Sequence, residues 1–238
     1  MKITHLYHSG FAVELEECVL IFDWYTGDLP AFPADKALYV LVSHKHQDHY
    51  GRCIWPLQDR YPNITYILDK DVPLGPHKGQ DNVHRVRRDQ SYDIGALHVR
   101  TLRSTDTGVA FYVEAEGRRI YHSGDLNVWY WDDEPLTDNN SQERRCRQAL
   151  EGLKVYLSDR PRRSTPEGFD LDVGFFPLDP RLGEHAPMGM ALFAEILCCA
   201  VLVPMHYWDR QVEAMAYTED ARLAAVRDRL RFDDSFRL

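Results

Sequence analysis

The hexapeptide His44-Lys45-His46-Gln47-Asp48-His49 places four side chains able to ligate a metal within six residues. Imidazole and carboxylate are the donors that borderline ions such as Zn²⁺ prefer, and a set richer in oxygen favours harder ions. In a tight loop, His44 and His46 can converge on one ion while Asp48 and His49 turn toward a second. Two ions about 3.5–4 Å apart can hold a bridging hydroxide against a substrate oxygen. Two further donors stand in comparable places: Asp125, after Ser123-Gly124, and His206, after Pro204-Met205. All three segments follow an apolar, strand-like run, and the carboxyl ends of strands are where open sheets build their sites. Taken singly, each has a plainer reading: a polar His-rich loop, a turn Asp, a core histidine. Their repeated placement favours a shared metal chemistry over three separate coincidences.

The elements that must position these residues can be read from hydrophobic periodicity. Short strands are expected over 2–7, 11–15 and 18–23, with turns at Ser9-Gly10 and Glu16-Glu17. The run 37–42 is apolar without alternation, which suits a strand covered on both faces, and it stops at the histidine motif. A helix over 52–60 and a buried strand over 64–68 follow. Strands recur over 83–86, 96–102, 109–114 and 118–122, with Glu116-Gly117 as a hairpin turn. A helix over 140–157 would align Cys146, Ala149, Leu150 and Leu153 on one face. Strands over 172–176 and 200–203, with helices over 187–197 and 218–230, complete the list. This order predicts an α/β protein of two packed sheets with helices outside, folded as a single domain over 1–238.

Composition narrows the function classes. A net charge of −9 disfavours extended contact with nucleic-acid backbones, which calls for a basic surface. Two arginine clusters, Arg144-Arg145-Arg147 and Arg160-Arg162-Arg163, are read as a solvated helix face and its exit loop, with a local anion-binding patch as the alternative. No apolar run reaches the roughly 20 residues that span a bilayer, and the N-terminus shows no export signal, so a cytoplasmic protein is expected. The five cysteines are scattered and never spaced C-x-x-C, which argues against a disulfide framework or a zinc ribbon. The aromatic segment Val128-Trp129-Tyr130-Trp131 either lines a substrate pocket or covers a hydrophobic or homo-oligomer contact. Arg181 is expected to pair with Asp179, the alternative being an anionic substrate group.

His44-x-His46-x-Asp48-His49, then Ser123-Gly124-Asp125, then Pro204-Met205-His206 resemble in order and spacing the motifs of the metallo-β-lactamase superfamily. Tyr7-His8-Ser9-Gly10-Phe11 and Asp23 are similar to its opening hairpins, so the resemblance covers nearly the whole chain. Within it, the chain looks most like the ascorbate-phosphate lactonase and ribonuclease Z side, and less like true β-lactamases, which use Cys where Asp125 falls. The resemblance implies an αββα four-layer sandwich of two mixed sheets flanked by helices, with a hydrolytic site of one or two metals in the cleft between them. It implies His44, His46, Asp48, His49, Asp125 and His206 as ligands, with Asp125 bridging and Asp48 also orienting the hydroxide or moving its proton. One departure stands out. The family's third histidine for the first metal is missing from Arg103-Ser104-Thr105-Asp106-Thr107-Gly108. Asp106 or a hydroxyl substitutes, or His8 or His185 swings in, or that metal is held weakly. Zinc is the expected ion, with manganese or iron favoured as oxygen replaces nitrogen. The expected activity is hydrolysis of a small ester, lactone or phosphorylated metabolite by a metal-bound hydroxide. A phosphodiesterase or nuclease of the same fold, or a degenerate non-catalytic metal- or ligand-binding module, are the rival readings.

Overall fold

The apolar runs before each donor segment form the parallel portions of two mixed sheets. The computed structural model describes residues 1–160 and 168–238, which fall into two compact units: Met1–Arg87 with Asp233–Leu238, and Arg88–Phe232. Arg162 and Arg163 of the second arginine cluster lie outside the described residues.

In the first unit, β1 (Lys2–Tyr7), β2 (Gly10–Glu14) and β3 (Cys18–Phe22) form an antiparallel meander. β4 (Ala37–Val42), β5 (Ile64–Asp69) and β6 (Val83–Val86) then add in parallel, each beside the one before. The C-terminal strand Ser235–Arg237 pairs with the free side of β1. All five residues of β3 and the last five of β4 are buried, as expected for strands covered on both faces. The segment expected as a helix over 52–60 is instead a 3₁₀ helix, Arg52–Asp59. Pro56 lies inside it, where an α-helix would lose a hydrogen bond and meet the carbonyl four residues back.

The second unit repeats the plan. β7 (Ser91–Ile94), β8 (Leu97–Arg103), β9 (Val109–Ala115) and β10 (Arg118–His122) are antiparallel. β11 (Leu171–Pro177) and β12 (Cys199–Met205) continue in parallel from β10. Helix α1 (Leu136–Ser158) buries Cys146, Leu150 and Leu153 of the predicted stripe, with Ala149 partly buried and Leu157 added to it, and begins a turn earlier than expected. Helix α2 (Pro187–Ile196) sets Phe193 against Phe176 and Tyr121, with ring centroids 4.7 and 5.0 Å apart. Gly174 on β11 makes this packing feasible, since a Cβ there would sit 2.8 Å from the Phe193 ring. The helix expected over 218–230 is not continuous: α3 (Gln211–Ala216) precedes two 3₁₀ segments, Tyr217–Glu219 and Ala221–Arg229. Asp220 interrupts them with an extended backbone, and its carboxylate accepts from Arg222 N at 2.8 Å as a cap. Strands Ser91–Ile94 and Ser235–Arg237 were not expected; both are short, and neither carries an apolar run. No helix among the described residues is long and apolar enough to cross a membrane.

Candidate metal site

In the first unit the donors gather at the carboxyl ends of β3 and β4. Turn bonds from His49 N and Tyr50 N to the His46 carbonyl, 3.1 and 2.9 Å, curl the motif so that its side chains converge. Ligand atoms of His44, His46 and Asp48 lie within 4.8 Å of one another, and so do those of His8, Asp48 and His49. His8 is fully buried on the turn between β1 and β2, with φ 55, and its Nε2 is 3.7 Å from Asp48 Oδ2. His44 and His49 are also fully buried, whereas His46 is exposed and Asp48 intermediate.

Asp23 organises this group. It follows β3 in a left-handed conformation, φ 42, and is fully buried. One carboxylate oxygen accepts from Ser43 N at 2.7 Å. The other accepts from the Ser43 hydroxyl at 2.6 Å and lies 2.7 Å from His49 Nδ1. A carboxylate can only accept, so His49 carries its proton on Nδ1 and keeps the Nε2 lone pair. The Ser43 hydroxyl spends its proton on Asp23, so His44 Nδ1, 2.9 Å away, is the donor in that contact. One carboxylate thus fixes the tautomer of two imidazoles, the outer-shell arrangement that metal-ligating histidines require. Three of the residues involved or adjacent adopt positive φ without being glycine, as strain at functional positions leads one to expect: His8, Asp23 and, in the second unit, His206 (φ 67).

In the second unit the same edge carries Asp125 after β10, Asp179 after β11 and His206 after β12. Asp125 Oδ1 is 3.3 Å from His206 Nε2. His206 Nδ1 lies 2.9 Å from Asp179 Oδ2, which fixes its tautomer as Asp23 fixes that of His49. Asp179 is fully buried and also accepts from Arg181 Nε at 2.9 Å and from Arg181 N at 2.9 Å. Burial pushes its carboxyl up, but the hydrogen bonds from His206 and Arg181 outweigh that and hold it below the usual range. The Asp125 turn is built by its neighbours: the Ser123 hydroxyl donates to the Leu126 carbonyl, Thr105 Oγ1 to the Asn127 carbonyl at 2.6 Å, and the Trp129 indole to the Asp125 carbonyl at 2.9 Å. Trp129 also stands edge-on to His206, centroids 5.3 Å apart.

These placements sort the weaker expectations. Asp106 is exposed and has a carboxylate oxygen within 4.8 Å of one on Asp125. The Ser104 and Thr105 hydroxyls near it serve backbone groups, Ser104 accepting from Asp106 N at 3.2 Å. His185 faces Asp132, Nε2 to Oδ1 2.9 Å, and packs on Tyr130 at 4.1 Å. Arg181 pairs with Asp179 as expected. The orienting roles of Asp23 and Asp179 escaped the sequence reading. The signal was present, since each is an Asp just past a buried strand, the rule that singled out Asp125.

Residues 2–136 match the family model described as Beta-lactamase superfamily domain. A UPF0173 metal-dependent hydrolase of Cereibacter sphaeroides is 30% identical over 150 residues, covering 54% of this chain and 64% of that protein. The chain thus spans slightly under two thirds of the length of the curated relatives it matches. Among solved structures, Igni18, a metallo hydrolase from the hyperthermophilic archaeon Ignicoccus hospitalis, matches with a TM-score of 0.63 at 16% identity, over 100% of this chain and 98% of its own. CmlA, a diiron β-hydroxylase from Streptomyces venezuelae, matches with a TM-score of 0.60 at 12% identity, over 100% of this chain and 53% of its own. At such identities the likeness shows the fold alone, and that fold carries more than one chemistry.

Proposed function

The chain belongs to the beta-lactamase superfamily, and from that premise we propose that it is a metal-dependent hydrolase acting on a small ester, lactone or phosphorylated metabolite. The metal ligands in this reading are His44, His46, Asp48 and His49 in the first unit and, in the second unit, Asp125 and His206, and His8 and Asp106 are supplementary donors. The observation that carries this reading is the Asp23 carboxylate, fully buried and committed to presenting the Nε2 atoms of His49 and, through Ser43, of His44. Two buried imidazoles held in the same tautomer by one buried acid have little purpose in packing alone.

A bound divalent ion supplies the Lewis acidity and the neutral-pH nucleophile of such a hydrolysis. The chain supplies the rest. Asp23 and Asp179, bonded at Nδ1, would turn Nε2 of His49 and His206 toward an ion and limit rotation of the rings. Asp48, whose side chain is 26% exposed, would orient the nucleophile and take up its proton. Zinc is the favoured ion for this nitrogen-rich set, and Asp106 in place of a third histidine moves the balance toward manganese or iron. A net charge of −9 favours small substrates over polyanions.

Elemental analysis of the purified protein, run beside a panel of esters, lactones and phosphodiesters with and without chelator, tests the proposal. Stoichiometric metal, with turnover that chelation abolishes and metal restores, is expected; Asp48→Ala should keep the fold and lose most activity. A protein that binds no divalent ion and turns over no member of the panel would contradict it.

A further inference from the structure

A pocket of 390 Å³ in the first unit is walled by the residues that follow the histidine motif and by the loop that follows β5. Its lining includes Tyr50, Trp55, Pro73, Leu74, Pro76 and His77. Tyr50 is the residue next to His49 in the chain. Both walls leave the same edge of the sheet, because β4 and β5 are parallel and Val42 pairs with Leu68 at their carboxyl ends. The two loops are also close in charge: Asp71 is held low chiefly by its hydrogen bond to Lys70, and in part by Lys45, which stands between His44 and His46.

The walls are preformed. The Trp55 indole donates to the Tyr50 hydroxyl at 3.0 Å, and that hydroxyl donates to the Pro73 carbonyl at 2.9 Å. The rings of Trp55 and His77 lie nearly parallel, 6° apart with centroids at 4.0 Å. Proline, leucine and stacked aromatic faces fit a flat apolar group, and few fixed polar atoms compete for it. Arg52 adds an exposed cation to the lining.

We propose that this pocket binds the aromatic ring of a small substrate and of its negatively charged product, one ring in size. This rests on the hydrolase reading above, which it sharpens to aryl-bearing carboxylic esters and their carboxylate products. The ring lies against His77, which is backed by the buried Trp55, and against the prolines, and Arg52 favours the anion. A volume of 390 Å³ accepts a single ring and its side arm.

The binding test uses phenylacetate, with acetate as the control, and saturation-transfer NMR on the full chain. Transfer to the phenyl protons is expected from the wild type, with affinity lowered at least about tenfold in Leu74→Trp, which fills the pocket, and in His77→Ala, which unstacks its wall. Circular dichroism shows whether each variant is folded, and His77→Ala stands in if Leu74→Trp is not. The activity arm compares the phenylacetyl and acetyl esters of one alcohol: Leu74→Trp should lower the ratio of kcat/KM for the first over the second about tenfold. Absence of transfer from the wild type, or a folded Leu74→Trp that binds phenylacetate as well as the wild type, overturns the proposal. The two readings fail separately. Ring binding without turnover of any ester upholds the pocket and counts against the hydrolase, whereas turnover of both esters with no effect of Leu74→Trp counts against the pocket alone.

Discussion

In the first unit Asp23 leaves β3 and reaches donors on the loop after the neighbouring strand β4; in the second, Asp179 leaves β11 and reaches His206 after the neighbouring strand β12. Both carboxylates are fully buried, yet they are used differently. Asp23 serves two imidazoles, one directly and one through Ser43, so their tautomers are set together. Asp179 serves one imidazole and is gripped by Arg181, whose side chain is 43% exposed and brings a solvated positive charge to it. The contrast shows two ways of keeping a histidine in the ligating tautomer. One couples several donors to a single acid; the other backs one donor with a counter-charge.

That contrast predicts unequal damage. Asp23→Asn puts an NH₂ group either against the Ser43 amide or against both the Ser43 hydroxyl and His49 Nδ1, which share one oxygen. Relief comes most simply by moving the His49 proton to Nε2, the wrong tautomer for a ligand. With two histidines affected, metal affinity should fall about 100-fold, the upper end for outer-shell changes. Competition against a chromophoric chelator measures it, and a loss below about threefold would break the coupling argument. Asp179→Asn disturbs one histidine, so the expected loss is about tenfold. Ser43→Ala leaves the Asp23–His49 contact in place and removes the hydroxyl that bonds Asp23 and His44 Nδ1, so a loss of about threefold is expected by the same assay. Equal losses for Asp179→Asn and Ser43→Ala would mean that the Asp179 carboxylate does no more for His206 than the Ser43 hydroxyl does for His44.

Much of this architecture was legible in the chain because apolar runs and donors abut. Val40-Leu41-Val42 ahead of Ser43-His44, and Leu202-Val203 ahead of His206, expose strand, edge and donor within a few residues. Asp23 and Asp179 carry the same local mark, but their partners are 20 and 27 positions away, and only strand adjacency brings them together. His8 was ambiguous for the same reason: a hairpin histidine looks ordinary until β1 and β2 place it 3.7 Å from Asp48. The 3₁₀ segments were misread as helices because Leu223 and Val226 lie at a spacing that suits both. There the deciding features were local, namely the backbone of Asp220 and the ring of Pro56.

The comparison extends to acid response, where the units should differ in sign. In the second unit, burial pushes the Glu114 carboxyl up, but Arg160, bonding both oxygens at 2.7 and 2.8 Å, and Tyr112 outweigh it and hold the group below its usual range. A depressed carboxyl stabilises the fold above its unfolded pKa, and that contribution is lost as pH falls through the folded value. Glu114→Gln should therefore cost about 1 kcal/mol at pH 7 and progressively less below about pH 4. In the first unit Asp69 is raised, first by burial and then by the charge of Asp71, against the bond it accepts from Asp71 N at 2.9 Å. A raised carboxyl contributes most below its unfolded pKa, and that contribution fades as pH rises through the folded value, so its charge is a burden at neutrality. Asp69→Asn keeps the oxygen that accepts from Asp71 N and removes the charge, so it should raise Tm by about 2 °C at pH 7 and leave Tm unchanged near pH 3. Thermal scans across pH read both variants. If the two curves bend the same way, the units do not differ in how they handle buried acids, and the distinction drawn between Asp23 and Asp179 would belong to those two residues alone.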